Sequence, residues 1–110
     1  MIHVYLDDAR PCPRGFVAAR NVQECILLLQ ECEVDILSLD YDLGPTDETG
    51  FDVVSWMVAN QHYPKRIYLH TSSDLGRSQM YHQLYVHKPE EVLLENGPMP
   101  YSLLQSIAKQ

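Results

Sequence analysis

The sequence predicts an α/β fold built on an open, all-parallel sheet, with helices on both faces in three layers. Three observations carry this. Short aliphatic or β-branched runs alternate with amphipathic segments of about ten residues, which calls for crossover connections and parallel pairing. Three of the four clearest runs end in polar groups able to do chemistry: Asp7–Asp8, Asp40 and His70–Thr71–Ser72. In a parallel sheet these ends share one edge, where open α/β sheets bind ligands at a switch in strand order.

Taken in order, Ile2 to Leu6 is a short apolar run and reads as a buried strand. ARPCPRG follows, and its two prolines and glycine exclude helix and central strand. Phe16 to Ala19 is a second short strand. Asn21 precedes Glu24 by three, a capping-box-like start, and Val22, Cys25, Ile26, Leu29 and Cys32 then recur with helical spacing. Val34 to Leu39 is the third strand, GPTDETG a polar loop, and Phe51 to Asn60 a helix broken by Pro64. Arg66 to Leu69 is the fourth strand. A helix opens at Gly76 or Arg77 and runs to about Leu84. Val92 to Glu95 is a short strand, ENGPMP a turn, and Tyr101 to Lys109 a terminal amphipathic helix.

Eight Lys and Arg stand against fifteen Asp and Glu, a formal charge of −7. Proteins that hold duplex DNA by its phosphates show a basic face, so this chain is not expected to bind it. A small anion or a nucleic-acid end is compatible with a few local arginines or a metal ion. Cys12, Cys25 and Cys32 are odd in number without CxxC spacing, and read as reduced thiols. The first residues lack a signal peptide's basic and apolar regions, and no run is long enough to span a bilayer. The expectation is a cytoplasmic protein with no membrane contact.

The acids admit two readings. Asp7 and Asp8 can cap a turn or pair with Arg10, as aspartates after strands do. Together with Asp40 and Asp42 at the same edge, they also suit a hard cation such as Mg²⁺, which takes oxygen ligands. His70 is either a hydrogen-bonded structural residue or an acid–base group. Thr71, Ser72 and Ser73 supply hydroxyls for phosphate oxygens, and Gly76 and Arg77 stand where a helix N-terminus meets an anion. Arg77 reads equally as a solvated surface charge. The remaining histidines, His3, His62, His82 and His87, lack metal-ligand spacing.

The order of these residues resembles the receiver domain of response regulators, a flavodoxin-like fold. More closely, LDDARPCPRGF, LSLDYDLG, TGFDVVSWM and HTSSDLGRSQM resemble its cyclic-phosphate-processing branch, from residue 3 to about residue 84. The resemblance implies that Asp7 and Asp8 hold Mg²⁺ (or Mn²⁺). Asp40 matches the phosphoacceptor, and Asp42 the position whose carbonyl joins the metal. Either His70 or Thr71 takes the place of the switch hydroxyl. Only 32 positions separate Asp8 from Asp40, so the first helix is expected to be replaced by the proline-rich loop. Lys88–Pro89 imitates the lysine–proline pair that follows the fifth strand in signalling receivers. The chain reads as one receiver-like domain over 1–110, with a core over 1–86 and an extension, or a divergent last strand and helix, over 87–110.

Three functions follow as expectations. The first is metal-dependent processing of a cyclic phosphate, such as a 2′,3′-cyclic phosphate at an RNA end or on a nucleotide. Asp40 and His70 would then be catalytic, Asp7, Asp8, Asp40 and Asp42 would hold the metal, and Arg10, Thr71, Ser72, Ser73, Gly76 and Arg77 would bind phosphate. The second is a stand-alone signalling receiver phosphorylated on Asp40. The third is a degenerate receiver that binds a protein partner.

Overall fold

The computed structural model describes residues 1–110. Its strands are β1 (Ile2–Leu6), β2 (Val17–Ala19), β3 (Val34–Leu39), β4 (Arg66–Leu69) and β5 (Leu93–Leu94). The helices are α1 (Val22–Glu31), α2 (Gly50–Asn60), α3 (Asp74–His87) and α4 (Tyr101–Ala108). All strand pairs are parallel, in the spatial order β2-β1-β3-β4-β5. The chain steps outward from β1 to β2 and then crosses to β3 on the other side of β1. The switch point therefore lies between β1 and β3, and their carboxyl ends carry Asp7 and Asp40.

Side-chain alternation divides the sheet into two faces. Val4, Leu6, Leu37, Leu39, Ile67 and Leu69 pack against α1, α2 and α3 in the larger core. Tyr5, Ile36 and Tyr68 point the other way, against Met99 and Ile107 beside α4, with Cys12 and Phe16 of the loop after β1. The fold thus has three layers, one of which is a single helix and a loop. That loop replaces the expected first helix. It joins two parallel strands in ten residues, Asp7 to Phe16, where such connections normally take a dozen or more and a helix. At its turn Gly15 adopts φ +90 and lies so close to Ile107 that a Cβ would collide with it. The short loop can follow this path because glycine permits both.

Local signals set the helix starts. Asn21 accepts a hydrogen bond from the Glu24 N–H, and the Glu24 carboxylate reaches the N–H of Arg20 rather than that of the cap. Thr49 and Asp52 form a full capping box, so α2 starts at Gly50, one residue before the expected Phe51. Ser73 caps α3 by accepting from the Gly76 N–H, which starts that helix at Asp74 rather than at Gly76 or Arg77. It also runs to His87, beyond Leu84, and stops before Pro89. No helix is long and apolar enough to cross a membrane.

Candidate functional site

Strand period places the site. Tyr5 and Asp7, Ser38 and Asp40, and Tyr68 and His70 share parity and so share the face that α4 and the loop cover. Asp7, Asp40 and His70 each bring a ligand atom to within 4.8 Å of the others. Asp7 is almost fully buried. Its Oδ1 accepts from the N–H groups of Ala9 and Arg10, each at 2.9 Å, and its Oδ2 accepts from Arg10 Nη1 at 2.9 Å. Burial alone would raise its pKa. Those bonds, together with one from His70, outweigh burial and hold the carboxyl down at about 2.

Asp40 is also buried, but its balance is reversed. Its Oδ1 accepts from the Tyr41 N–H at 2.8 Å, and its Oδ2 lies 3.4 Å from Arg10 Nη1. Burial dominates and raises its pKa; the Thr71 hydroxyl acts against this, while the nearby Asp7 charge adds to it. One guanidinium nitrogen of Arg10 therefore bridges the two carboxylates. Arg10 pairing with Asp7 was one of the two sequence readings, and the structure adds Asp40 to it.

His70 lies inside the same network. Its Nε2 is 3.0 Å from Asp7 Oδ2, and its Nδ1 is 2.6 Å from Ser38 Oγ. An ionised carboxylate only accepts, so Nε2 carries the proton and Nδ1 accepts from the Ser38 hydroxyl. The ring stacks on Tyr5, with centroids 4.2 Å apart and planes 4° from parallel. Burial lowers the His70 pKa despite the hydrogen bond to Asp7, which favours the neutral ring. Both ring nitrogens are committed to protein partners. The side chain is only 6% exposed, so an acid–base role would require the bond to Asp7 to break.

The other expected residues divide. Thr71, not His70, places a hydroxyl beside Asp40; it is buried and also accepts from the Ser73 N–H. Asp8 is exposed, with Oδ2 against Gly44, and Asp42 is exposed and bridged through its backbone to Thr49. Neither carboxylate belongs to the Asp7–Asp40–His70 cluster. Ser72 is exposed. Ser73 and Gly76 have structural employment: the Gly76 N–H is taken by the Ser73 cap, and the Tyr41 ring lies where a Gly76 Cβ would stand. Arg77 pairs with Asp74 at 3.1 Å on the surface of α3. Lys88 ends α3 and precedes β5, so in a parallel sheet it lies at the pole away from the acids. Its likeness to the lysine after a fifth strand is corrected: the residues after β5 are Glu95, Asn96 and Gly97.

Two supporting residues were not singled out from sequence. Ser38 is fully buried, and its parity with Asp40 was the available signal. Arg20 donates from Nη1 to the carbonyls of Asp7 and Arg10, both at 3.0 Å, and so clamps the loop from the start of α1. Gly50, the glycine of the TGFDVVSWM stretch, is where α2 meets the Asp40 carbonyl so closely that no Cβ fits.

Comparison with known proteins bears on the fold and the family. In fold the chain is similar to the crystal structure of a signal receiver domain from Vibrio parahaemolyticus, with a TM-score of 0.59 and 18% identity, covering 96% of this chain and 85% of that one. No curated protein matches it in sequence. The model of the cyclic-phosphate processing receiver domain matches residues 2–86, which run from β1 to the penultimate residue of α3 and include every residue of the cluster, and the chain belongs to that family.

Proposed function

We propose that this chain is a divalent-metal-dependent enzyme that processes a cyclic phosphate, with 2′,3′-cyclic phosphates of RNA ends or nucleotides as the substrate class. One observation carries the reading: two buried carboxylates from either side of the switch point converge on a single bridging cation, the Arg10 guanidinium. Buried like charges are costly unless a cation lies between them. The hard oxygens of Asp7 and Asp40, with an imidazole alongside, fit Mg²⁺ or Mn²⁺. Bound there, such an ion would polarise a phosphoryl oxygen and offset charge developing on it. Asp8, exposed beside Asp7, would reach the ion's water shell. The family's description, cyclic-phosphate processing, supports a cyclic phosphate as the substrate.

The chain's own groups have distinct tasks. Asp40 Oδ1 is tied to the Tyr41 N–H, which leaves Oδ2 as the atom that faces incoming phosphate, as ligand or as nucleophile. In the nucleophilic course the Oδ2–P bond forms as a ring P–O bond breaks. The ribose oxygen leaves with a proton from one water. A second water then cleaves the Oδ2–P bond and gives its proton to the hydroxide the first left behind. This releases a phosphomonoester still joined to the ribose through its other oxygen. Thr71 lies beside Asp40 to hold a phosphoryl oxygen. His70 fixes the orientation of Asp7 from below, a role its two committed nitrogens support better than proton transfer. Incubation with Mg²⁺ or Mn²⁺ and an oligoribonucleotide ending in a 2′,3′-cyclic phosphate tests the reading. Ring opening that is lost in Asp40→Asn supports it, and an intact ring rejects it.

A second reading is a signalling receiver phosphorylated on Asp40. The Thr71 hydroxyl beside Asp40 favours it, and the position of Lys88 weighs against it. It expects Mg²⁺-dependent labelling of Asp40 by a small phosphodonor, with no ring opening.

A further inference from the structure

We propose that Arg10 is a built-in cation which the metal ion must displace, and that the displaced guanidinium then becomes a ligand for the substrate's phosphate. This rests on the metal-dependent reading above and gives it an order of events. Arg10 Nη1 lies 2.9 Å from Asp7 Oδ2 and 3.4 Å from Asp40 Oδ2, between the oxygens that a divalent ion would share. A guanidinium and a metal ion cannot both stand there.

The surroundings suit a side chain that moves on a fixed backbone. The Arg10 N–H is bonded to Asp7 Oδ1, and Arg20 holds the carbonyls of Asp7 and Arg10. The Arg10 side chain itself is 43% exposed and has solvent to swing into. None of the three surface concavities is lined by Asp7, Asp40 or His70. With Arg10 in place, a phosphate meets a filled site.

Charge gives the order. Asp7, Asp8 and Asp40 with the Arg10 guanidinium leave a local sum of −2, which repels a phosphate. A divalent ion cancels that sum and frees the guanidinium from the carboxylates, so that it can pair with a phosphate at the rim. Arginine also presents a planar fork that matches phosphate oxygens. Metal binding therefore comes first and creates the anion site.

The test is calorimetry on the full chain with Mg²⁺, then with inorganic phosphate, for the wild type and Arg10→Gln. Removal of the internal competitor should tighten Mg²⁺ binding about tenfold. The wild type should bind phosphate only when Mg²⁺ is present, and the variant should lose that gain. In the wild type, the Arg10 Nε–H resonance should shift in step with Mg²⁺ occupancy, a readout that needs no variant. Equal or weaker Mg²⁺ binding by Arg10→Gln, an Arg10 resonance unmoved at Mg²⁺ saturation, or phosphate binding without Mg²⁺ would overturn the proposal while leaving a metal site in place. Failure of both proteins to bind Mg²⁺ would overturn the metal reading, and this proposal with it.

Discussion

His70 Nε2 lies 3.0 Å from Asp7 Oδ2, a contact that ties the end of β4 to the end of β1 across the intervening β3. Ser38 of β3 completes the span from beneath, and the Tyr5 ring covers it. Three neighbouring strands are thus fastened at the edge where the carboxylates must be held close.

Truncating His70 to Ala removes a buried ring and leaves Ser38 and Asp7 each without a partner. Unfolding in urea should show a loss of about 3 kcal/mol. Ser38→Ala removes one hydrogen bond and should cost about 1 kcal/mol. Because both act through one ring, the double variant should lose less than the sum of the two.

Asp7 and Asp40 should leave opposite signatures in the pH dependence of stability, measured in metal-free buffer. The Asp7 pKa falls to about 2 in the fold, below its ordinary value of 3.8. Its ionised form is therefore stabilised by folding, fully above about pH 4, and the gain vanishes as pH falls to about 2. Asp7→Asn should cost about 2 kcal/mol at pH 7 and little at pH 2. The Asp40 pKa is raised. Its ionised form opposes folding, so stability is lost as pH rises through the folded pKa. Asp40→Asn should accordingly stabilise the protein at pH 7, with the gain fading in acid.

Gly50 is predicted to be intolerant of any side chain. A Cβ there would strike the Asp40 carbonyl, which is backbone and cannot step aside. Gly50→Ala should cost about 3 kcal/mol or more and displace Asp40. Gly97→Ala, where nothing lies within 4 Å of the added methyl, should change stability by less than about 0.5 kcal/mol when both variants are unfolded in urea beside the wild type.

Much of this site was legible because strand ends announce themselves. Asp7, Asp40 and His70 each close an apolar run, and parallel pairing brings such ends together without further information. The proline-rich stretch likewise declared a loop where a helix was due. Ser38 and Tyr5 were hidden inside apolar runs, where their parity marks a face but not a contact. Arg20 lies thirteen positions from Asp7, and only the fold shows that its guanidinium reaches back to the loop. Ser73 and Gly76 resembled an anion site because a cap and an anion engage the same free N–H groups, and the cap is what the structure contains. Lys88–Pro89 misled because lysine before proline also ends a helix.

A metal ion held by Asp7 and Asp40 is proposed to open a cyclic phosphate. The most direct measurement follows adenosine 2′,3′-cyclic monophosphate by phosphorus NMR, with the wild type and Asp40→Asn, in Mg²⁺ and in chelator. Conversion to a phosphomonoester is expected of the wild type in Mg²⁺ alone, with a loss of about 10³-fold or more in Asp40→Asn. A cyclic signal that persists unchanged with wild-type protein and saturating Mg²⁺, or a variant that converts it as fast, would contradict it.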